Sequence, residues 1–237
     1  MRYPGFALCL VLAFYANSGG ETFSAKFGEE TYRLEEVFYD DFSGDISNWR
    51  IEGDAEVGLN EGWLEVDALS GTIGAATIWC TKEFEGPQLV EYDVRLMDNS
   101  LQSNINMFLF ASIPGGKGIL ETSLERTGAY NEYHAFPNYL ITILNDTSPE
   151  KRAMLRVRTR LNPGFKLVEE KYFEPLVFGH VYHIAYLIDS PLVRVFLESR
   201  EIARTRYDTV LNNGMHGLRI WHTHSIYDNF RVSRLVR

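Results

Sequence analysis

The chain contains very little cysteine. Cys9 and Cys80 are the only two among 237 residues, and Cys9 lies in an N-terminal apolar run that we expect to be removed. A single remaining cysteine cannot form an internal disulfide, so the fold must depend on its hydrophobic core. Cys80 follows Ile78 and Trp79 in a strand-like run, which indicates buried packing rather than a nucleophile.

The sequence also has no excess of basic residues and no long apolar run. The formal net charge is -9, which argues against nucleic acid as a partner, and an anionic ligand would need a locally basic groove. The apolar run from Phe6 to Tyr15 is too short to span a bilayer. Because Arg2 precedes it and Ala16-Asn17-Ser18 follows, it predicts a signal peptide over residues 1–18. We expect a secreted protein, periplasmic or extracellular, with no membrane segment after cleavage.

No long helical period is present either. Residues 19–36 are polar and acidic without clear periodicity, and we interpret them as an N-terminal lead-in segment. From residue 37 onward, short alternating segments are separated by breakers such as Pro114-Gly115-Gly116 and Asn162-Pro163-Gly164. This pattern predicts one all-β domain over residues 37–237, built as an antiparallel two-sheet β-sandwich. The predicted strands span residues 62–68, 77–83, 89–96, 105–111, 139–144, 154–160, 181–188, 192–198 and 202–207, followed by the closing stretch 217–232.

Motifs near both ends of this domain resemble a known architecture. YDDFSGDISNW, Tyr39 to Trp49, and IYDNFRV, Ile226 to Val232, are similar to the first and last strands of concanavalin A-like jelly rolls, the lectin/glucanase architecture of many secreted carbohydrate-active proteins. The segments Gly128 to Leu144 and Arg156 to Phe165 also resemble an uncharacterised family of secreted bacterial proteins with this fold. The resemblance implies a polysaccharide or oligosaccharide ligand in the cleft of a concave sheet. It does not identify a reaction.

The closing stretch alternates as a β-strand does, and one of its faces carries side chains that can bind a ligand. Alternation places Leu218 and Ile220 on one face, and Arg219 and Trp221 on the other. An indole can stack on a sugar ring, and a guanidinium can donate two parallel hydrogen bonds to a carboxylate. We therefore predict that Arg219, Trp221 and the adjacent His222 bind substrate. The alternative is that Trp221 belongs to the core and Arg219 pairs with an acid.

A second strand carries a basic face. In MLRVRTR, the period of two places Arg156, Arg158 and Arg160 together. One interpretation is a groove in which Arg156 and Arg158 bind uronate carboxylates or sulfates. The other is a set of surface charges on the convex sheet that pair with Glu91 or Asp93. The strand rhythm leaves both interpretations open.

The stretch from Tyr130 to Tyr139 carries the groups that a polysaccharide lyase needs. Elimination from a uronic acid requires a donor that neutralises the carboxylate, a base for the C5 proton and an acid for the leaving oxygen. Asn131, together with an arginine, is the candidate for neutralisation. His134 is the candidate base, and Tyr133 or Tyr139 is the candidate acid. The alternative is an aromatic loop whose polar groups only satisfy the backbone.

Two other functions remain open. A retaining glycoside hydrolase would need two carboxylates about 5 Å apart, and Glu121 with Glu125 on a strand is the best pair, although Ser123 replaces the middle acid of the glucanase motif. A non-catalytic carbohydrate-binding module is the other alternative. The motifs typical of alginate-lyase-like members of the fold are not intact. The leading prediction is a lyase that cleaves an acidic, uronate-containing glycan by β-elimination.

The sequence gives little indication of a cofactor. His180 and His183 would lie on opposite strand faces, and no cysteine accompanies the histidines, so we predict no catalytic metal. Asp40, Asp41 and Asp228 could donate oxygens to a structural calcium where the first and last strands meet. They could equally be turn and edge acids. No cofactor is required by the predicted reaction, and the sequence leaves the oligomeric state open.

Overall fold

The computed structural model describes residues 22–98, 104–115, 117–146, 150 and 154–236. The predicted signal peptide, residues 1–18, lies outside the described residues. Among the described residues, no helix is long and apolar enough to cross a membrane.

The described residues form sixteen strands and two short 3-10 helices. The helices are Ser123–Glu125 and Tyr130–His134. The strands are β1 Thr22–Phe27, β2 Glu30–Asp40, β3 Trp49–Gly53, β4 Glu56–Asn60, β5 Trp63–Asp67, β6 Ala75–Glu85, β7 Gln88–Leu96, β8 Asn104–Ala111, β9 Asn138–Asp146, β10 Met154–Asn162, β11 Lys166–Phe173, β12 Val181–Asp189, β13 Leu192–Leu197, β14 Arg200–Arg206, β15 Asn213–Trp221 and β16 His224–Leu235.

The strands form two antiparallel sheets. One sheet has seven strands in the order β11-β10-β9-β8-β15-β6-β3. The other has nine, in the order β1-β2-β16-β7-β12-β13-β14, with β4 and β5 joined to it through the pairing of β5 with β16. The predicted all-β, two-sheet sandwich is therefore confirmed.

The main core lies between the two sheets. Leu218 and Ile220 of β15 point into it and are buried, and so are Leu155 and Val157 of β10. Cys80 is buried in the same core, as predicted. Because strand side chains alternate, the arginines of β10 and β15 lie on the outer face of the seven-stranded sheet.

The N-terminal segment is a strand hairpin, so the predicted lead-in over residues 19–36 is wrong for its described part. Strands β1 and β2 pair along their length. Phe27 packs against Phe196 at 5.2 Å between ring centroids, and Arg194 pairs with Glu30 at 3.0 Å. The hairpin thus covers part of the outer face of the nine-stranded sheet. The sequence signal for this hairpin is the alternation of Phe23, Ala25 and Phe27 with polar residues in β1.

The chain between β8 and β9 covers part of the opposite outer face. We call residues 112–137 the cover segment. Its side chains Tyr133 and Phe136 are buried against Trp79, Phe108 and Leu140 of the seven-stranded sheet. This second, smaller apolar cluster fixes the cover segment beside the polar part of the same face.

Candidate functional site

A row of polar side chains crosses the outer face of the seven-stranded sheet. Arg158 pairs in register with Thr142, Thr142 with Asn106, Asn106 with Arg219, and Arg219 with Thr77. These residues lie on five neighbouring strands, β10, β9, β8, β15 and β6. Because directly opposed residues of antiparallel strands project to the same face, they form one continuous surface. We call these five residues the polar row.

Arg219 is enclosed in the polar row without an acidic partner. It is 1% exposed, and its Nη1 donates to the carbonyl oxygens of Ala76 at 3.2 Å and Ile220 at 3.0 Å. Its Nε has no hydrogen-bond partner in the described structure. The guanidinium lies 5.5 Å from the ring centre of Tyr130 and 5.7 Å from that of Tyr133. Burial lowers the pKa of Arg219, so an anion bound here would stabilise its charged form.

Arg158 and Arg160 add two more guanidinium groups that lack ion pairs with described carboxylates. Arg160 is 7% exposed, its Nε and Nη1 have no partner, and its guanidinium lies 4.3 Å above the ring of Phe165. The Nε of Arg158 is also without a partner. Burial and the charges of Arg160 and Arg156 lower the pKa of Arg158 to about 10. Buried charges are normally paired, and among the described residues the Nε and Nη1 of Arg160 have no such partner.

Arg156 differs from its two neighbours because acids already neutralise it. Its Nη1 lies 2.5 Å from Asp146 and its Nε 3.6 Å from Glu170. The predicted substrate-binding role of Arg156 therefore has no support from its contacts. The alternative partners Glu91 and Asp93 belong to the nine-stranded sheet, so the predicted pairing of these arginines with them is wrong. Arg156 does form surface ion pairs, but with Asp146 and Glu170.

His134 lies beside the polar row on the cover segment. Its imidazole stacks on Phe165 at 3.9 Å and meets the ring of Tyr130 edge-on at 4.8 Å. Its Nε2 is buried without a hydrogen-bond partner in the described structure. Burial, with the charges of Arg160 and Arg219, lowers the pKa of His134 below its ordinary value of 6.5. The neutral imidazole is thus favoured at neutral pH and can accept a proton.

Tyr130 lies at the centre of this arrangement, although the sequence assigned it no role of its own. Burial raises the pKa of Tyr130, while the Thr142 hydroxyl and the charges of Arg160, Arg158 and Arg219 act in the opposite direction. At neutral pH its hydroxyl is therefore protonated and able to donate a proton. The signal that could have identified it was its place in the same polar-aromatic stretch as His134.

Glu52 anchors the cover segment from β3. Its carboxylate accepts hydrogen bonds from Arg126 Nη2 at 2.5 Å, Arg126 Nε at 2.8 Å, Tyr133 hydroxyl at 2.8 Å and Trp79 Nε1 at 3.0 Å. Glu52 is 3% exposed. Tyr133 is next to His134 in the chain, so this buried network determines where the candidate base lies.

Close backbone contact holds the same segment. Gly128 has a φ of +88°, and a Cβ there would lie 2.5 Å from the Cα of Gly53. Only glycine fits both the conformation and the contact. The contact lies two residues before Tyr130 and helps to place its ring over Arg219.

Two predicted proton-transfer residues have structural roles instead. Tyr139 points into the core between the sheets, where its hydroxyl donates to the Thr209 carbonyl at 2.7 Å and accepts from the Leu211 amide at 2.9 Å. The prediction for Tyr139 is wrong because β9 directs Leu140, and not Tyr139, to the outer face. The prediction for Tyr133 is also wrong, since its hydroxyl is held by Glu52.

The amide of the site comes from a different residue than predicted. Asn131 is exposed on the second 3-10 helix. Asn106, in contrast, is 3% exposed in the polar row, and its Nδ2 donates to the Arg219 carbonyl at 3.1 Å and to Asn104 Oδ1 at 2.7 Å. Its Oδ1 has no hydrogen-bond partner among the described residues and can accept a hydrogen bond. The sequence signal for this amide is the pair Asn104 and Asn106 in the otherwise apolar strand β8.

Trp221 and His222 lie at the end of β15. Trp221 is 37% exposed, so it does not belong to the core, and it projects to the same face as Arg219. The His222 ring meets the indole edge-on at 4.5 Å. His222 has a φ of +45°, a conformation that few non-glycine residues adopt. The structure therefore leaves an accessible aromatic surface next to the polar row.

The predicted hydrolase pair does not lie on a strand. Glu125 belongs to a 3-10 helix and pairs with Lys117 at 3.1 Å, while Glu121 accepts from the Gly118 amide at 3.2 Å. Both are exposed. The prediction that Glu121 and Glu125 share a strand face is wrong because the acids fall in the cover segment.

The candidate calcium ligands are occupied by protein groups. Asp40 accepts hydrogen bonds from the Phe42 amide and from Trp49 Nε1, both at 2.9 Å, and Asp41 accepts from the Ser43 hydroxyl at 2.6 Å. Within the part of the chain that the structure describes, no group of three or more His, Cys, Asp or Glu residues is arranged to hold a metal. Asp228, the third candidate ligand, accepts a hydrogen bond from the Asn229 amide at 2.7 Å. The structural calcium stays a prediction.

Comparison with known families gives one match. The family described as a domain of unknown function, DUF1961, matches residues 36–231. The chain belongs to this family. The predicted resemblance to an uncharacterised family is thereby confirmed. The comparison of this DUF1961 protein with curated proteins found no match.

Solved structures identify the fold of the DUF1961 domain. A protein of unknown function with a galectin-like fold from Bacillus subtilis is 20% identical, with a TM-score of 0.73, and the match covers 86% of this chain and 99% of that one. The carbohydrate-binding module CBM66 from Bacillus subtilis is 13% identical, with a TM-score of 0.54 and coverage of 78% and 94%. The endo-beta-1,3-glucanase from Pyrococcus furiosus is 11% identical, with a TM-score of 0.59 and coverage of 90% and 98%. At these identities the likeness establishes the lectin/glucanase jelly roll.

Proposed function

We propose that this protein is a secreted polysaccharide lyase that binds an acidic, uronate-containing glycan at the polar row and cleaves it by β-elimination. The observation that supports this proposal is the convergence of three guanidinium groups without ion-pair partners, from Arg158, Arg160 and Arg219, on His134 and Tyr130. An enclosed site with this much positive charge favours an anionic ligand. The carbohydrate context comes from the fold of its structural neighbours.

Each step of the elimination has a candidate group in this site. Arg219 binds the uronate carboxylate and stabilises the negative charge that develops when the C5 proton leaves. His134 Nε2 takes this proton, the C4–O bond breaks and a C4–C5 double bond forms. Tyr130 donates its hydroxyl proton to the leaving oxygen, and water returns the proton from His134 to Tyr130.

Other residues around the row provide binding. Asn106 Oδ1 accepts a hydrogen bond from a sugar hydroxyl, and the exposed ring of Trp221 stacks on a neighbouring sugar unit. Because Arg219 lies beneath the ring of Tyr130, binding requires that ring to rotate aside. Tyr133, the other ring near Arg219, is held by Glu52, so Tyr130 is the movable one.

A reaction screen tests this proposal. Purified protein is incubated with a panel of acidic polysaccharides while ultraviolet absorbance and reducing ends are recorded together. A lyase increases both, because the new double bond is conjugated with the carboxylate. Reducing ends without absorbance would instead identify a hydrolase and contradict the proposed mechanism.

A non-catalytic glycan-binding module is the second candidate. The observation that favours it is that Tyr133 and Tyr139, two groups expected to transfer protons, have structural roles. A binding module would be retarded on an affinity gel of the acidic glycan but would release no product. The screen therefore separates the two candidates.

A further inference from the structure

The number and separation of the guanidinium groups without ion pairs indicate how many anionic groups the ligand carries. Resting on the proposed function, we infer that the site recognises a polyuronate segment with at least two anionic groups, one held by Arg219 and the other by Arg158 and Arg160. A glycan with one isolated carboxylate would leave part of this charge unpaired.

The two basic positions lie at opposite ends of a row of aromatic rings. The guanidinium of Arg219 lies 5.5 Å from the ring of Tyr130. Tyr130 is in contact with Phe165, at 5.3 Å between ring centroids. Arg160 lies 4.3 Å from the ring centre of Phe165. Each cation therefore lies against a different ring of this row, so the two guanidinium groups occupy separate positions.

The strand order of the sheet also separates the two basic positions. Arg219 on β15 and Arg158 on β10 are connected through β8 and β9, and three strand spacings amount to about 14 Å between backbones. Long arginine side chains shorten this distance at their tips. A backbone separation of this size suits anionic groups on different sugar units of one short segment.

The nearby acids do not neutralise these positions. Glu170 is close enough to influence Arg158 and Arg160, but its ion pair is with Arg156. Glu132 and Glu52 are close to Arg219, but the Glu132 carboxylate accepts hydrogen bonds from Thr127 and Gly128. The Glu52 carboxylate is bound to Arg126. Both basic positions are thus left for ligand charges, and His134 and Tyr130 lie between them.

The test compares ligands that differ in the number of carboxylates. Tetragalacturonate and tetramannuronate carry one carboxylate on every unit, whereas an aldotetrauronic acid carries one uronate on three neutral xylose units. Isothermal titration measures the Kd of each. We expect at least one tetrauronate to bind about tenfold or more tightly than the aldotetrauronic acid, because each desolvated ion pair contributes strongly.

Protein variants locate the two charges. Arg219→Gln and Arg160→Gln should each weaken binding of the tetrauronate about tenfold or more, and the double variant should show the product of the two losses, as expected for independent contacts. Arg200→Gln is the charge-matched control, since Arg200 is exposed on the other sheet and pairs with Glu174. It should bind as the wild type does. The melting temperature of each variant verifies that it is folded.

Each outcome decides the question. Equal affinity for the tetrauronates and the aldotetrauronic acid, or an effect of Arg219→Gln without any effect of Arg160→Gln, would overturn the two-anion inference and leave a lyase for sparsely charged glycans. Absence of binding to all three oligosaccharides would overturn this inference and the proposed function together.

Discussion

The hydroxyl of Tyr133 donates a hydrogen bond of 2.8 Å to Glu52, a fully enclosed carboxylate on the first strand of the seven-stranded sheet. This contact joins the cover segment to the sheet. It also explains why Tyr133 is unavailable for proton transfer. The candidate base His134 follows directly in the chain, so its position depends on a residue that does not contact the substrate.

Replacing Glu52 should therefore affect both stability and function. Glu52→Ala leaves the buried guanidinium of Arg126 without its partner, which destabilises a fold by about 3–5 kcal/mol. We expect this loss in urea unfolding, together with faster proteolysis within the cover segment. Glu125→Ala is the matched control, because Glu125 is an exposed acid of the same segment. Similar unfolding curves for the two variants would contradict the anchoring role.

In the absence of ligand, the Arg160 side chain should lower the free energy of unfolding. Two of its nitrogens are buried without hydrogen bonds, and burial lowers the pKa of its guanidinium. Arg160→Met keeps the packing against Phe165 and removes the unpaired charge, so the free energy of unfolding should rise by about 1 kcal/mol while glycan binding falls. Chemical denaturation measures the first effect and titration the second. A lower free energy of unfolding in Arg160→Met than in the wild type would mean that Arg160 has a structural partner.

The pH profile should report the ionisation of His134. Burial and the charges of Arg160 and Arg219 lower its pKa below 6.5, so the imidazole stays neutral and able to act as a base until the pH falls below that value. We expect the acidic limb of kcat to lie below about pH 6.5. Arg160→Gln removes one of the cations that lower the pKa, so it should move this limb to higher pH. An unchanged limb in Arg160→Gln, or in a still active His134→Ala, would contradict the assignment of the base.

Two tyrosine variants distinguish catalysis from packing. Tyr139→Phe removes buried hydrogen bonds in the core and should reduce the free energy of unfolding by about 1–2 kcal/mol without changing kcat. Tyr130→Phe removes the proposed acid and should lower kcat by about 100-fold or more with little change in stability. Steady-state kinetics and urea unfolding on both proteins provide the comparison. The reverse pattern would return the catalytic role to Tyr139.

Acid should destabilise the fold through His216. This residue is fully buried, 3.0 Å from the side-chain amide of Gln88, and burial lowers its pKa to about 3. The unfolded chain binds a proton near pH 6.5 whereas the folded chain does not. The contribution of His216 to the free energy of unfolding is therefore fully present above pH 6.5. Between pH 6.5 and pH 3 the free energy of unfolding falls by about 1.4 kcal/mol for each pH unit. His216→Gln should flatten this dependence, and an equally steep curve in the variant would assign the acid sensitivity to other groups.

Strand periodicity was sufficient to predict most of the fold. The alternation in MLRVRTR placed Arg156, Arg158 and Arg160 on one face, and the alternation around Arg219 directed Leu218 into the core. Both follow from the local period of two, which a buried core enforces. The β1–β2 hairpin stands where a lead-in segment is predicted, although Phe23, Ala25 and Phe27 alternate with polar residues and carry the period of a strand.

The composition of the site could be predicted only in part. Arg219 and His134 were recognised from their chemistry, but Asn106 became part of the site through strand pairing across β8, β9 and β15. Such neighbours are set by tertiary register, which a single sequence does not specify. Tyr133 and Tyr139, the two candidates for the acid, both have structural roles for a related reason, because their partners Glu52 and Thr209 come from distant parts of the chain.

The masses of the products provide the most direct test of β-elimination at the polar row. Tetragalacturonate and tetramannuronate are digested with the wild type, Arg219→Gln and Arg200→Gln, and the fragments are analysed by mass spectrometry. We predict that the wild type and Arg200→Gln release a fragment lighter by one water than the hydrolysis product, and that Arg219→Gln releases little or none. β-Elimination gives one such lighter fragment together with one fragment of full mass. Cleavage that yields only fragments with the full mass of hydrolysis products, or no cleavage by the wild type, would contradict the proposed reaction.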